Sequence, residues 1–189
     1  MKKYITPDKN DEYVRTFAKS LDTKGDLFCI DVCPEKWSKE IRCFENVNNK
    51  IKQSGGEEIQ GWIIWQWPNI LLQAEYHSVW KSFDNLLIDI TPHGKNIDRI
   101  LFGQTDSKKY LFNQSIVVPV SHMEPICADE IVKEYCNSCV EYQSLQNQFK
   151  LNHKNDDDFK NDKYVKQLFE KKKFLYKKLI LKESNKDVC

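Results

Sequence analysis

The chain has 189 residues, a formal net charge of +1 at pH 7 and 40% hydrophobic residues. This length is enough for one domain with a substantial core, and the near-neutral charge gives no reason to expect a nucleic acid or a membrane as partner. No apolar run is long enough to cross a membrane, and the polar start of the chain lacks the apolar core of a signal peptide, so we expect a cytoplasmic protein. The seven cysteines are an odd number at irregular spacing, which favours reduced thiols over a disulfide scaffold.

The first 41 residues form a polar segment that we expect to pack on the core, with a short helix over residues 13–18. Cys33 precedes a proline, which fits the first position of a helix, so a helix start is also expected there. The next helix is predicted to run from Cys43 to the paired glycines at 55 and 56, which are a common helix end.

The middle of the chain, to about residue 120, is rich in aromatic and β-branched residues and predicts a sheet. Its candidate strands are residues 59–67, 71–81, 86–91, 99–102 and 115–120. Apolar residues alternate on both sides of the first of these, so we expect it to be covered on both faces and central. Its tryptophans are core residues or, alternatively, line an aromatic substrate cleft. Gly61 in this strand indicates a bulge or a close backbone approach.

After residue 120 the pattern becomes helical. A long helix is predicted over residues 128–150, an exposed polar linker follows near 152–161, and a last helix is predicted over 162–182. The lysines of the last helix indicate a solvated face of a docked amphipathic helix, with binding to an acidic partner as the alternative. The expected division is therefore an N-terminal segment (1–41), a core (42–122) and a helical C-terminal extension (123–189).

The second and third candidate strands bring a histidine and an aspartate together. If they fold back through a loop centred near Phe83, His77 lies opposite or nearly opposite Asp89. Directly opposed side chains on one face of an antiparallel pair have Cβ atoms roughly 4.5–5.5 Å apart. A carboxylate at that distance can hold one imidazole nitrogen and fix its tautomer. The pattern therefore predicts a general base and the residue that orients it.

Cys43 supplies a candidate nucleophile. A cysteine at a helix N-terminus experiences the positive end of the helix dipole, which favours the thiolate, and the thiolate is the nucleophilic form. A nearby imidazolium would favour it further. Cys33 is a rival because it too is expected at a helix start, whereas Cys29 lies in an apolar run and is expected in the core.

This region resembles the papain-like and transglutaminase-like cysteine enzymes, in Cys43 on a helix, then His77-Ser78-Val79-Trp80, then Asp89-Ile90-Thr91. The resemblance implies an α+β fold in which an N-terminal nucleophile helix packs on an antiparallel sheet. It also implies a thiol-dependent hydrolase or amidase, or an acyltransferase, with Cys43 as nucleophile, His77 as base and Asp89 as the residue that orients His77. The expected partner is a peptide or protein amide, with no metal in the site. The candidate substrate-binding residues are Trp62, Trp80 and Asn46.

Two alternatives remain open from the residues themselves. Papain-type proteases carry an oxyanion glutamine shortly before the cysteine, where this chain has Trp37 and Ser38, so an inactive papain-like binding module is one alternative. The other is a binding module with a structural zinc, in which His77 and Asp89 are merely a structural pair. Its four thiolate ligands would be Cys29, Cys33, Cys136 and Cys139.

Overall fold

The computed structural model describes residues 4–94, 97–106, 110–111 and 117–184. The chain has an α+β fold with a curled antiparallel sheet. The helices are α1 (Glu12–Ser20), α2 (Cys43–Ser54), α3 (Glu130–Leu151), α4 (Asp156–Asn161) and α5 (Lys163–Ser184). The strands are β1 (Thr23–Asp31), β2 (Glu57–Trp67), β3 (Leu71–Lys81), β4 (Leu87–Ile88), β5 (Arg99–Thr105) and β6 (His122–Pro125).

Most predicted elements are present. Helices α1, α2, α3 and α5 and strands β2, β3 and β5 lie within a few residues of their predicted bounds. Several details differ. Strands β1 and β6 were not predicted, the pairing of β4 is limited to two residues, and α4 occupies part of the expected linker. No helix begins at Cys33, and Cys29, which was expected in the core, is exposed. Of the predicted strand 115–120, the first two residues lie outside the described residues, and 117–120 are not in a strand.

The sheet has the strand order β1-β5-β2-β3-β4, and β6 pairs with β3 outside this path. Its first and last strands come together just beyond their ends, where Val32 and Asp89 form an isolated β-bridge. The backbone of Asp89 therefore lies where the two edges of the curled sheet meet. The closure of the sheet therefore positions Asp89, which is one of the candidate site residues.

Strand β2 is central, as predicted, between β5 and β3. Residues Trp62, Ile63, Ile64 and Trp65 are each at most 6% exposed, so both faces of the strand are covered. Gly61 makes the close backbone approach that the sequence indicated. A Cβ atom at this position would lie 2.2 Å from the carbonyl oxygen of Gly103 on β5. The glycine thus lets two central strands approach closely.

The chain divides into two compact units. The sheet unit comprises Ile5–Trp65 and Ala74–Ser115, and it contains every candidate residue of the thiol site. The helical unit comprises Met1–Tyr4, Gln66–Gln73 and Ile116–Cys189. Its core consists of Trp67, Ile70, Leu71, Val132, Tyr135, Cys136, Leu175 and Leu179. Among the described residues, no helix is both long and apolar enough to cross a membrane.

Candidate active site

Cys43 is the first residue of α2 and is 7% exposed. The helix ends at Gly55, whose φ of 68° suits glycine and whose N–H donates to the carbonyl of Ile51 at 2.8 Å. Because the first N–H groups of a helix have no partner within it, the backbone N–H of Cys43 is not used by α2. The thiol and this N–H both lie at the positive end of the helix dipole.

Aromatic packing fixes α2 against β3. Phe44, next to Cys43, stacks on Tyr76, next to His77, with ring centroids 6.2 Å apart. The ring centroids of Phe44 and Tyr110 are 4.3 Å apart, and the ring of Tyr76 packs edge-on against that of Trp62 with centroids 5.0 Å apart. Each of the two aromatic neighbours is well buried, at 8% for Phe44 and 5% for Tyr76. This cluster therefore sets the position of the Cys43 backbone relative to that of His77.

The β3–β4 hairpin places His77 and Asp89 on the same face. Trp80 pairs with Ile88, and continuing that register puts Asp89 across from Val79 and diagonal to His77. The Nε2–H of His77 donates to Asp89 Oδ2 at 3.1 Å, since a carboxylate can only accept. The predicted contact is thus present, in the nearly opposite arrangement rather than the directly opposite one.

The backbone and the carboxylate of Asp89 are both anchored. Its N–H donates to the carbonyl of Asp31 at 3.1 Å, and its own carbonyl accepts from the N–H of Cys33 at 2.8 Å. Its Oδ1 accepts from the N–H of Thr91 at 2.9 Å, which is an Asx turn. The side chain is fully buried. These bonds explain how an aspartate is accommodated in the interior.

His93 is a further member of the site that the sequence reasoning missed. Its Nε2–H donates to the same oxygen, Asp89 Oδ2, at 2.5 Å. Its ring lies 5.4 Å from that of His77 and 5.4 Å from that of Trp65. The available signal was a histidine four residues after Asp89, across the turn that the segment Thr91-Pro92 favours.

Asn46 joins three parts of the site. Its side-chain amide donates to the carbonyl of Lys39 at 2.9 Å and to Thr91 Oγ1 at 3.1 Å, and its Oδ1 accepts from the N–H of Lys39 at 3.1 Å. The residue is 2% exposed. These contacts tie α2 to the loop before it and to the segment after Asp89, so Asn46 positions the elements of the site.

The two candidate tryptophans also have partners within the protein. Trp62 is 1% exposed and donates through Nε1 to Asp22 Oδ1 at 2.8 Å. Trp80 is half-buried, donates to the carbonyl of Gly55 at 2.9 Å, and lies beneath the Lys50 ammonium at 4.9 Å. Trp80 therefore ties β3 to the end of α2, and Trp62 belongs to the core.

The charges of the site stabilise one another. Burial opposes protonation of His77, but the Asp89 carboxylate and the nearby Cys43 sulfur hold the pKa of His77 well above its ordinary value. Burial would raise the pKa of Asp89, yet His77 and the hydrogen bonds from both imidazoles hold it far below its ordinary value. Because Nε2 contacts Asp89, Nδ1 is the ring nitrogen left for Cys43. The arrangement favours an imidazolium between a carboxylate and a sulfur.

The contribution of the His77–Asp89 pair to stability should be greatest between about pH 4 and 6.5. The lowered pKa of Asp89 stabilises the folded chain at pH values above about 3.9, which is the pKa of an aspartate in the unfolded chain. This stabilisation is lost as the pH falls through the pKa of Asp89 in the folded chain. The raised pKa of His77 stabilises the folded chain fully below about pH 6.5, which is the pKa of a histidine in the unfolded chain. This stabilisation is lost as the pH rises through the pKa of His77 in the folded chain. We therefore expect the difference in unfolding free energy between wild type and His77→Gln to shrink from pH 5.5 to pH 9.

Urea unfolding at pH 5.5, 7 and 9 measures that difference. His153→Gln is the matched control because His153 is exposed, and its difference from wild type should not follow the same curve. A His77→Gln difference that is equal at all three pH values would contradict the raised pKa of His77.

His77, Asp89 and His93 also have the residue types of a metal site, and their ligand atoms lie within 4.8 Å of one another. Two donors bound to one zinc ion at about 2.1 Å would be about 3.0–3.4 Å apart for the usual coordination angles. The contact between His93 and Asp89, at 2.5 Å, is shorter than that, and the contact between His77 and Asp89, at 3.1 Å, lies within this range. In the structure both contacts are hydrogen bonds, and the expectation of no metal in the site stays a prediction.

The four cysteines of the alternative zinc site are divided between the units. Cys29 and Cys33 belong to the sheet unit, and Cys136 and Cys139 lie three residues apart on α3 in the helical unit. All four are reduced, as the sequence predicts. Cys127 is in a disulfide bond, so the expectation of reduced thiols is wrong for that residue. The zinc site stays a prediction.

Comparisons with known proteins give no assignment. No family model matches the chain, and neither the curated proteins nor the solved structures contain a match. The function must therefore be argued from the site itself.

Proposed function

We propose that the chain is a thiol-dependent amide hydrolase or acyltransferase of the papain-like and transglutaminase-like type. The observation that carries the proposal is the environment of His77, whose ring contacts the Asp89 carboxylate at 3.1 Å and whose pKa is raised by both Asp89 and the nearby Cys43 sulfur. A thiol at a helix start, a base near it and a carboxylate that orients the base are the elements of covalent catalysis by a triad.

The placement of each group suits its role. Cys43 begins a helix, which favours the thiolate. His77 lies in the middle of a long strand, and Asp89 is held from both sides by backbone hydrogen bonds, so the base and its orienting residue are on rigid elements. The site therefore needs little rearrangement before the chemical step.

The mechanism follows from these roles. The Cys43 thiolate attacks the carbonyl carbon of an amide, and a C–S bond forms while the carbonyl oxygen takes up negative charge. The backbone N–H of Cys43 at the helix start stabilises that oxygen. The C–N bond then breaks, the imidazolium of His77 protonates the leaving amine, and a thioester remains on Cys43. Water gives hydrolysis and an amine gives acyl transfer, with neutral His77 now accepting the proton of the attacking group.

The test is the pH dependence of Cys43 alkylation by iodoacetamide, read by peptide mass spectrometry. At pH 6 a thiol of ordinary pKa is roughly 0.3% ionised, whereas a thiol paired with an imidazolium is mostly ionised. The lower basicity of a paired thiolate reduces its nucleophilicity and offsets part of this gain. We therefore expect wild type to label at Cys43 about tenfold faster at pH 6 than His77→Ala does.

The protein contains its own controls. Cys29 and Cys33 are exposed, so each should label at the same rate in wild type and in His77→Ala. His153→Ala should leave Cys43 labelling unchanged, and the same rates with and without EDTA would exclude a bound metal as their cause. If Cys43 titrates like Cys29 and ignores His77, the triad is wrong and the binding-module alternative takes its place.

A further inference from the structure

We propose that His93 is a positioning residue of this site, which holds the Asp89 carboxylate in place through its Nε2–H and thereby strengthens the pairing of Asp89 with His77. The inference rests on the proposed thiol chemistry, because it assigns His93 a role in the formation of the thiolate–imidazolium pair. It adds a fourth side chain to a site that the sequence described with three.

The hydrogen bonds of the Asp89 carboxylate support this role. Asp89 Oδ1 is taken by the N–H of Thr91, and Oδ2 accepts from both His77 and His93. With donors on both oxygens, rotation of the carboxylate about its Cβ–Cγ bond would break at least one of these bonds. His93 supplies the shorter of the two contacts to Oδ2, at 2.5 Å against 3.1 Å.

His93 is itself held in place. Its ring meets that of Trp65 edge-on, with centroids 5.4 Å apart and an interplanar angle of 65°. Trp65 in turn donates through Nε1 to Glu75 Oε2 at 3.3 Å. A buried tryptophan on the central strand therefore supports the imidazole that supports Asp89.

The exposed fractions of the three side chains also support this role. The side chain of Asp89 is 0% exposed and that of His77 is 7% exposed, whereas that of His93 is 14% exposed. His93 is thus the most exposed of the three, and it covers the Asp89 oxygen that it contacts. Excluding water from a charge pair strengthens the interaction between its members. Loss of His93 should therefore weaken the effect of Asp89 on His77 in two ways, through rotation of the carboxylate and through entry of water.

The experiment compares His93→Phe, which keeps a ring against Trp65 but cannot donate, with His93→Gln, whose side-chain amide can donate to Asp89. In His93→Phe, the midpoint of Cys43 alkylation should move up by about one pH unit, and labelling at pH 6 should slow by up to about tenfold. In His93→Gln, the midpoint should stay near that of wild type. Rescue by glutamine is the result that a role in ring packing alone would not give.

A second readout separates this inference from the proposed function. In a Cys43→Ser background, where the site has no thiol, NMR titration of the His77 ring should give a lower pKa when His93→Phe is added, because Asp89 then supports the imidazolium less well. An unchanged His77 pKa would overturn the role of His93 while leaving the proposed function intact. If Cys43 is instead alkylated at the same rate in wild type and in His77→Ala, the proposed function is contradicted.

Equal effects of phenylalanine and glutamine would also overturn the proposal, since they would show that the hydrogen bond contributes nothing. Urea unfolding establishes that each variant is folded before it is labelled. If His93→Phe does not fold, His93→Ala and His93→Gln make the same comparison, with the donor absent from the first and present in the second.

Discussion

Replacing Asp89 with asparagine is expected to lower the free energy of unfolding at pH 6 by about 3 kcal/mol. The new side chain could still accept from the N–H of Thr91, but its amide group would then face the N–H groups of both His77 and His93 where the carboxylate now accepts. Removing one partner of a buried ion pair leaves the other charge unsatisfied, and this dominates over any loss of packing. Urea unfolding monitored by far-UV circular dichroism measures the cost.

Asp31→Asn is the matched control for that change. Asp31 is the last residue of β1, its carbonyl accepts from the N–H of Asp89, and its carboxylate pairs with Arg99 at 2.8 Å. The side chains of Asp31 and Arg99 are both more than 60% exposed, so solvent screens this ion pair and its loss should cost far less than the loss of Asp89. The two variants make the same chemical change at a buried and at an exposed site.

The pH dependence of the Asp89→Asn effect distinguishes an ion pair from a neutral hydrogen bond. His77 has a raised pKa because of Asp89, so the loss should be largest while the wild-type ring is protonated and should decrease at high pH as that proton leaves. In Asp89→Asn, labelling of Cys43 should also move toward the pH range of an ordinary thiol. If Asp89→Asn costs no more than Asp31→Asn at pH 6, Asp89 and His77 are not a coupled buried pair.

The parts of the site that could be predicted from the sequence are local. The contact between His77 and Asp89 depends on one hairpin with a short turn near Phe83, and the period-2 pattern of the strands fixes which side chains share a face. Cys43 at the start of α2 followed from its position one turn before Val47 and Ile51, and the paired glycines indicated where the helix ends. Both are short-range consequences of turn and helix chemistry.

The parts that could not be predicted depend on pairing between distant segments. Strand β1 was missed because Lys24, Gly25 and Asp26 interrupt its alternation, and the register with β5 shifts between Thr23 and Leu27. The closure of the sheet at Val32 and Asp89 joins segments more than 50 residues apart, and no local pattern indicates it. His93 was missed for the same reason, since its role depends on the buried position that this closure gives Asp89.

Residue type alone also says little about which polar groups face a substrate. The sequence predicts substrate binding by Asn46, Trp62 and Trp80, which stays a prediction, and the structure adds that each has a hydrogen-bond partner inside the protein. A side-chain amide or an indole next to a catalytic residue has the same composition whether it binds a ligand or holds two elements together. Only the partners found in the folded chain separate these roles.

Gly61→Ala is expected to destabilise the protein by about 3 kcal/mol or more. A Cβ at this position would lie 2.2 Å from the carbonyl oxygen of Gly103 and 2.7 Å from the ring of Phe102. The nearest atom is backbone in a paired strand, so relief requires β2 and β5 to move apart at the centre of the sheet. The loss should appear as a lower midpoint in urea unfolding with an unchanged slope.

Gly25→Ala separates steric collision from backbone conformation. Gly25 has a φ of 97°, which disfavours alanine, but no atom lies within 4 Å of the Cβ it would gain. Its replacement should therefore cost only about 1–2 kcal/mol. Gly61 is not in that backbone region, so its cost comes from the contact between strands alone. If Gly61→Ala lowers the free energy of unfolding by less than Gly25→Ala does, β2 and β5 can move apart at little cost in stability. The close approach of these two strands at Gly61 is then not important for the stability of the sheet.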